Sequence, residues 1–343
     1  MPTPAADEMQ KSFQCSRQLV LGGQAAFVVM LGVGPLFHAP MSETFGRRKI
    51  FLANLIGFTV IQIPTALVSN AVAYIILRVF AGFCGSVGVA NGGGSISDMF
   101  AKPDRAKILG FYFTAPLLAP AIGALIGAFI VAHTTWRVIF WTLTISALCV
   151  TICAYCFLPE TRAIAILEAR RQEMQNHYPG IRIVVEGQSN ESIGKKVVQN
   201  STRAVKILTT QPIVLAMSIY QALVFTSMYT LYARFTSIWS APPYHFSKEM
   251  VGLAYLGPAA GFVLMSVLVV STVDRVNMLL ENYYRDDEPE YRLLIANVGA
   301  IFLPISLFWF GIAIEKDTPW PVPLIATMFF GASQIGIFNP IQT

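Results

Sequence analysis

The chain has 343 residues, of which 55% are hydrophobic and only 13% charged, and its net charge is +5. A soluble protein carries about 25% charged residues and must keep its surface solvated. A disordered chain, a nucleic-acid-binding domain and a single water-soluble globule are therefore excluded, and lipid is the second solvent.

A helix that crosses a bilayer needs about 20 mostly apolar residues. In chain order, nine segments meet this: 19–40, 50–68, 72–96, 108–132, 138–158, 213–239, 251–273, 293–314 and 322–340. They are too long for strands and lack the alternation of a membrane barrel. Residues 1–18 contain Asp7, Glu8, Lys11 and Arg17 and no apolar run of the signal-peptide kind.

The loops alternate in charge. Seventeen of the 24 basic residues fall in the turns at 47–49 and 102–107, in residues 162–206 and in residues 275–292. The intervening loops hold only Arg137, Lys248 and Lys316. The positive-inside rule puts the basic set in the cytoplasm. The expected order is an exoplasmic segment at 1–18, a helix bundle over 19–161, a cytoplasmic linker over 162–211 and a second, partial bundle over 212–343. Residues 167–175 can form a short surface helix in the linker. The sequons at 190–192 and 200–202 lie in the same linker and are expected to stay unmodified. Cys84, Cys149, Cys153 and Cys156 lie in apolar runs with no His or carboxylate beside them, so they read as small packing residues, and no metal site or disulfide framework is expected.

Five local patterns carry chemistry. The first cytoplasmic turn reads Ala39-Pro-Met-Ser-Glu-Thr-Phe-Gly-Arg-Arg-Lys49. Here Gly46 permits a tight turn, and Glu43 can pair with a cation or cap a helix N-terminus. Arg47 and Arg48 are basic anchors at the least. The third span carries Arg78, with Gly82 four residues on, then Asn91-Gly-Gly-Gly-Ser-Ile-Ser-Asp98. The fourth carries Ala115-Pro-Leu-Leu-Ala-Pro-Ala-Ile-Gly123 followed by Gly127. Trp136-Arg-Val-Ile-Phe-Trp141 and Leu158-Pro-Glu-Thr161 bracket the fifth.

Together these residues resemble the major facilitator superfamily, and within it the fungal drug:proton antiporters with twelve spans. The first turn is similar to the family's G-x-L-a-D-r-x-G-R-R loop, with Ala39 and Glu43 in place of Gly and Asp. Arg78 and Gly82 match its R-x-x-x-G pattern. Pro116, Pro120, Gly123 and Gly127 match its antiporter motif, with Ala115 and Ala119 at two glycine positions. In the second half only a Val273-Asp-Arg275 echo remains. The resemblance implies an all-α membrane fold of the major facilitator type with about nine of twelve helices present. Helices two to six would occupy 19–161 and helices seven to ten 212–343, with the chain truncated at both ends.

The resemblance also implies alternating access driven by protons, with Arg78 and Asn91 at the coupling site or cavity. Export of drugs or secondary metabolites by a plasma-membrane monomer is the expected activity. Proton-coupled uptake of a polyamine or nutrient is the alternative, and an inert fragment is a second. An enzyme is not expected: the four histidines are scattered and no hydrolase motif occurs. The expected partners are a small-molecule substrate, protons and the bilayer, with no cofactor, metal or nucleic acid.

Several residues stay open at this stage. A charge inside a span costs at least about 2.5–3.5 kcal/mol and marks function by default, but Arg78 could also snorkel to an interface, as could Arg234. The prolines at 116 and 120 would kink their helix and open a close-packed face. The glycines at 82, 85, 88 and 92–94 suit close helix packing rather than a phosphate loop. His38, the amides Asn91, Gln221, Asn297, Gln334 and Asn339, and the aromatic strip Tyr220, Phe225, Tyr229 and Tyr232 could face substrate or simply pack.

Overall fold

The computed structural model describes residues 3–178, 193–268 and 293–342. The Val273-Asp-Arg275 echo, the sequon at 190–192 and Arg275, Arg285 and Arg292 lie outside them.

Among the described residues the fold is all helical. The helices are α1 (Ala6–Phe13), α2 (Arg17–Val33), α3 (Pro35–Phe45), α4 (Arg47–Leu67), α5 (Ala71–Gly85), α6 (Val87–Met99) and α7 (Lys102–His133). Then come α8 (Trp136–Phe157), α9 (Ala163–His177), α10 (Ile193–Thr210) and α11 (Pro212–Ser240). They are followed by α12 (Lys248–Leu268), α13 (Leu293–Glu315) and α14 (Pro321–Gln342). Eight of these helices or continuous pairs are long and apolar enough to cross a membrane, and α1 with α2, bent by 115°, would make a ninth.

Eight of the nine expected segments are recovered this way. The first, 19–40, is divided instead. Gly34 keeps a right-handed helical conformation, but Pro35 opens α3 as its first residue. A proline has no N–H to continue the hydrogen-bond ladder, so α2 and α3 separate there. The third segment is similarly composed of α5 and α6, which join at Ser86.

Two helices arise where the sequence suggested none. Residues 6–13 form α1, with Asp7 and Glu8 in its first turn, where helix N–H groups favour negative charge. Ala5, Ala6 and Met9 are fully buried, so packing stabilises a helix too short to stand alone. Within the linker, α9 is longer than the short helix expected over 167–175, and α10 is additional. On α9, hydrogen bonds from Arg171 hold the Glu168 carboxyl below its ordinary value.

By packing, the chain divides into two compact units. One comprises Met9–Ala101 with Arg137–Leu215, the other Met1–Glu8, Lys102–Trp136 and Ala216–Thr343. Helix α7 thus belongs with the C-terminal helices, although chain order places it among α2–α8. In its unit the core is aromatic: Tyr232, Phe235 and Trp239 of α11 pack with Tyr255 and Phe262 of α12 and Phe330 of α14.

The cysteines do not pack as expected. Cys149, Cys153 and Cys156 are exposed on α8, and Cys84 is half-buried. Their neighbours on α8, Ile145, Val150 and Ile152, are exposed too. That face suits lipid, in which a thiol behaves as a small apolar group.

Candidate functional site

The first cytoplasmic turn is built around one glycine and one carboxylate. Helix α3 ends as the Gly46 N–H donates to the Ser42 carbonyl at 3.1 Å. Gly46 then turns the chain with φ of 98° and ψ of 146°, a conformation open to glycine alone. Helix α4 starts at once, leaving its first N–H groups without helical partners. Glu160, just past α8, receives them. Its Oε1 accepts from the Arg47 N–H at 2.9 Å and its Oε2 from the Arg48 N–H at 3.2 Å. The same Oε1 accepts from the N–H groups of Thr161 and Arg162 at 3.1 and 3.0 Å, at the entry to α9. One carboxylate therefore caps two helices, where the positive ends of both dipoles stabilise it.

The side chains continue the construction. Arg47 is buried and its Nε donates to Asp98 Oδ2 of α6 at 2.6 Å. A Cβ at Gly94, one turn before Asp98, would overlap the Arg47 guanidinium. Arg48 donates to the Tyr155 carbonyl at 2.9 Å, with its guanidinium 5.9 Å from the Tyr155 ring. The turn thus joins the ends of α3, α4, α6, α8 and α9. The cap on α4 is made by Glu160 and the ion pair of Arg47 by Asp98, and Glu43 is exposed on α3.

Arg78 is buried inside the same unit, at 5% exposure, and does not snorkel. Its guanidinium lies 4.6 Å from the Phe27 ring of α2, 5.6 Å from Phe140 of α8 and 6.0 Å from Tyr74 of its own helix. Its Nε has no hydrogen-bond partner, and no salt bridge joins it to a carboxylate among the described residues. Gly82 explains the placement. It lies one turn from Arg78, and a Cβ there would overlap the Phe27 carbonyl. Gly23 similarly makes room for the Tyr74 ring. Small residues let α2 and α5 approach, and that approach slides the Phe27 ring against the cation. The faces of aromatic rings attract cations.

Asn91 of α6 is fully buried, and neither side-chain amide atom has a protein partner. Gln62 of α4 shares both properties. Nothing in the sequence singled out Gln62. An uncharged amide inside an apolar span gives no signal until its burial is known. His38 is buried and bonded, its Nε2 lying 2.9 Å from the Phe83 carbonyl.

In the other unit, α7 runs unbroken from Lys102 to His133 with Pro116 and Pro120 inside it. Pro120 and Gly127 are buried, and Pro116 and Gly123 are half-buried. The buried face also presents Thr114, Leu117, Ala121, Ala124 and Ala128. It packs on α12, where a Cβ at Gly252 would lie 2.9 Å from that of Ala128. The Thr114 hydroxyl donates to the Gly110 carbonyl at 2.8 Å, so in its 2.8 Å contact with Ser266 the Ser266 hydroxyl is the donor. Gln334 of α14 donates from Nε2 to the Val224 carbonyl and the Ser227 hydroxyl, both at 3.0 Å. Phe225 and Tyr229 stack, Phe225 meets Phe338 edge-on and Tyr232 lies in the aromatic core. Gln221 has no protein partner for either amide atom. Arg234 is exposed at the helix surface. Among the described residues, no three His, Cys, Asp or Glu side chains converge as a metal site would require.

The sequence profile of the Major Facilitator Superfamily matches residues 1–343. The chain belongs to that superfamily. Its relatives include the "Uncharacterized transporter mfc1" of Schizosaccharomyces pombe, 31% identical over 99% of this chain and 72% of that protein. The "Efflux pump vrtL" of Penicillium aethiopicum is 31% identical over 100% of this chain and 68% of its own length. The fold is that of the proton:xylose symporter XylE, with a TM-score of 0.67 at 16% identity, covering 99% of this chain and 76% of that one. As a major facilitator protein, the chain is an integral, multi-pass membrane transporter of small molecules and not an enzyme.

Proposed function

We propose that this transporter exports small amphipathic organic molecules, drugs or secondary metabolites, in exchange for protons across the plasma membrane. The observation that carries the reading is Arg78, a permanent cation held in an aromatic cage with no carboxylate partner among the described residues. In a medium of low dielectric constant such a charge acts strongly on any proton or substrate charge that comes near it. Asn91 and Gln62 are buried amides whose hydrogen-bonding capacity suits a polar group of the cargo. The name of the Penicillium aethiopicum relative, an efflux pump, supports export.

In this reading the Gly46 turn is the cytoplasmic latch of alternating access. The Arg47–Asp98 pair and the Glu160 double cap hold the ends of five helices in one arrangement, and release of the caps and the pair would permit another. Pro116, Pro120, Gly123 and Gly127 give α7 the small-residue face along which it shifts against its neighbours. Residues 19–161 and 212–343, joined by 162–211, are the two halves proposed to alternate, with α7, which packs with the C-terminal helices, as the element of the first half that moves against the second.

The test is transport in energised vesicles containing the chain. Arg78→Ala should abolish export driven by a proton gradient while leaving membrane insertion intact, and Arg78→Lys should retain part of it. Undiminished gradient-driven export in Arg78→Ala would overturn the assignment.

A further inference from the structure

We infer that α10 is an in-plane anchor that docks on the anionic phospholipid headgroups of the bilayer. The helix holds Lys195, Lys196, Arg203 and Lys206 and no acidic residue. At about 100° per residue these four basic positions share roughly one third of the helix circumference. Val205 and Leu208 lie across the helix from them, and Val198 and Ile207 flank the basic arc on either side.

The structure shows how that apolar side is used. Its middle rests on α3, where the Ser201 hydroxyl donates to the Leu36 carbonyl at 2.8 Å. The flanks stay open: Val198 is 66% exposed, Val205 49% and Ile207 41%. Val198 runs alongside Lys195 and Lys206, and Ile207 runs alongside Arg203 in the helical register. Each open apolar flank is therefore bordered by exposed cations.

Position in the chain identifies the occupant. Only Gln211 separates α10 from the membrane-spanning helix α11, so α10 ends at the bilayer surface. The basic loops share that side. An amphipathic helix with basic borders lies in the headgroup region, its apolar flank among the acyl chains and its cations on phosphates. Each basic residue near an anionic surface contributes about 1 kcal/mol. The inference rests on the chain spanning a membrane and is independent of the transport direction and of Arg78.

Limited trypsin digestion of the full chain tests it. The protein is placed in vesicles of phosphatidylcholine alone or of phosphatidylcholine with phosphatidylserine, and cleavage after Arg203 and Lys206 is compared with cleavage after Arg170 and Arg171 of α9 in the same sample. Phosphatidylserine should slow the α10 cuts about tenfold relative to the α9 cuts, and high salt should restore them. The doubly substituted Val198→Asp, Val205→Asp chain keeps every cleavage site and alters only exposed positions, so it should lose the protection. Equal ratios in the two vesicles would overturn the inference. So would protection that survives Val198→Asp, Val205→Asp, because contact with α3 would then be its source.

Discussion

Replacing Gly46 by alanine loads two separate strains onto one turn. The backbone there, with φ of 98° and ψ of 146°, costs a residue with a side chain about 1–3 kcal/mol. The new Cβ would also lie 2.5 Å from Glu160 Oε2 and 3.1 Å from its carboxyl carbon, so the carboxylate must withdraw. Withdrawal loosens the caps on Arg47 and Arg48, and a lost N-terminal cap costs about 0.5–2 kcal/mol. The sum is about 1.5–5 kcal/mol. Because the second strain acts through Glu160, Gly46→Ala and Glu160→Ala should not add. Once Glu160 is an alanine the clash is gone, and the double variant should be more stable than the sum predicts by about 1 kcal/mol. Denaturant unfolding of the purified protein in detergent, followed by tryptophan fluorescence, measures all four corners of the cycle. A Gly46→Ala loss below about 0.5 kcal/mol, or additivity within that margin, would refute the argument that turn and cap are one device.

Gly82→Ala should cost about 1–3 kcal/mol by forcing α2 from α5, whereas Gly22→Ala inside α2, with open space where its Cβ would stand, should cost nothing and add about 0.5–1 kcal/mol of helix propensity; thermal shift assays compare the two. Gln334→Leu removes two hydrogen bonds between α14 and α11 and should cost about 0.6–2 kcal/mol in the same assay, with Ser227→Ala smaller because the Val224 carbonyl bond remains.

What the sequence showed well is what repeats over many residues. Twenty apolar side chains in a row leave few alternatives to a spanning helix, so eight segments were legible, with residues 269–273 of the seventh outside the described residues. Residues 19–40 failed for a local reason, the missing N–H of Pro35. Helices α1 and α10 failed because their apolar residues are few and interleaved with charge, so packing rather than hydropathy decides them. The Gly46 turn was legible as a turn, and Gly82 as a packing glycine. Their partners were not. Glu160 lies 113 residues from Arg47, and no periodicity links the two. Both Asp98 and Glu160 stood inside recognisable patterns, yet only the folded chain shows that they meet Arg47 together. Arg78 was legible as a charge in a span, but its burial under Phe27 depends on how closely α2 passes Gly82.

The membership of α7 in the unit of the C-terminal helices bears on how the protein is made. Thr114 and Ser266 are 152 residues apart. At about 5–20 residues per second, translation needs on the order of ten to thirty seconds to deliver α12 to its partner. Throughout that interval the part of the α7 face that packs on α12 lacks that partner. The face is suited to the wait: it is small and apolar, and the proton of the Thr114 hydroxyl is already given to the Gly110 carbonyl of its own helix. No donor on that hydroxyl is stranded in hydrocarbon before Ser266 arrives. The order in which the ribosome releases the helices is thus matched by side chains that can stand alone until their neighbours are synthesised.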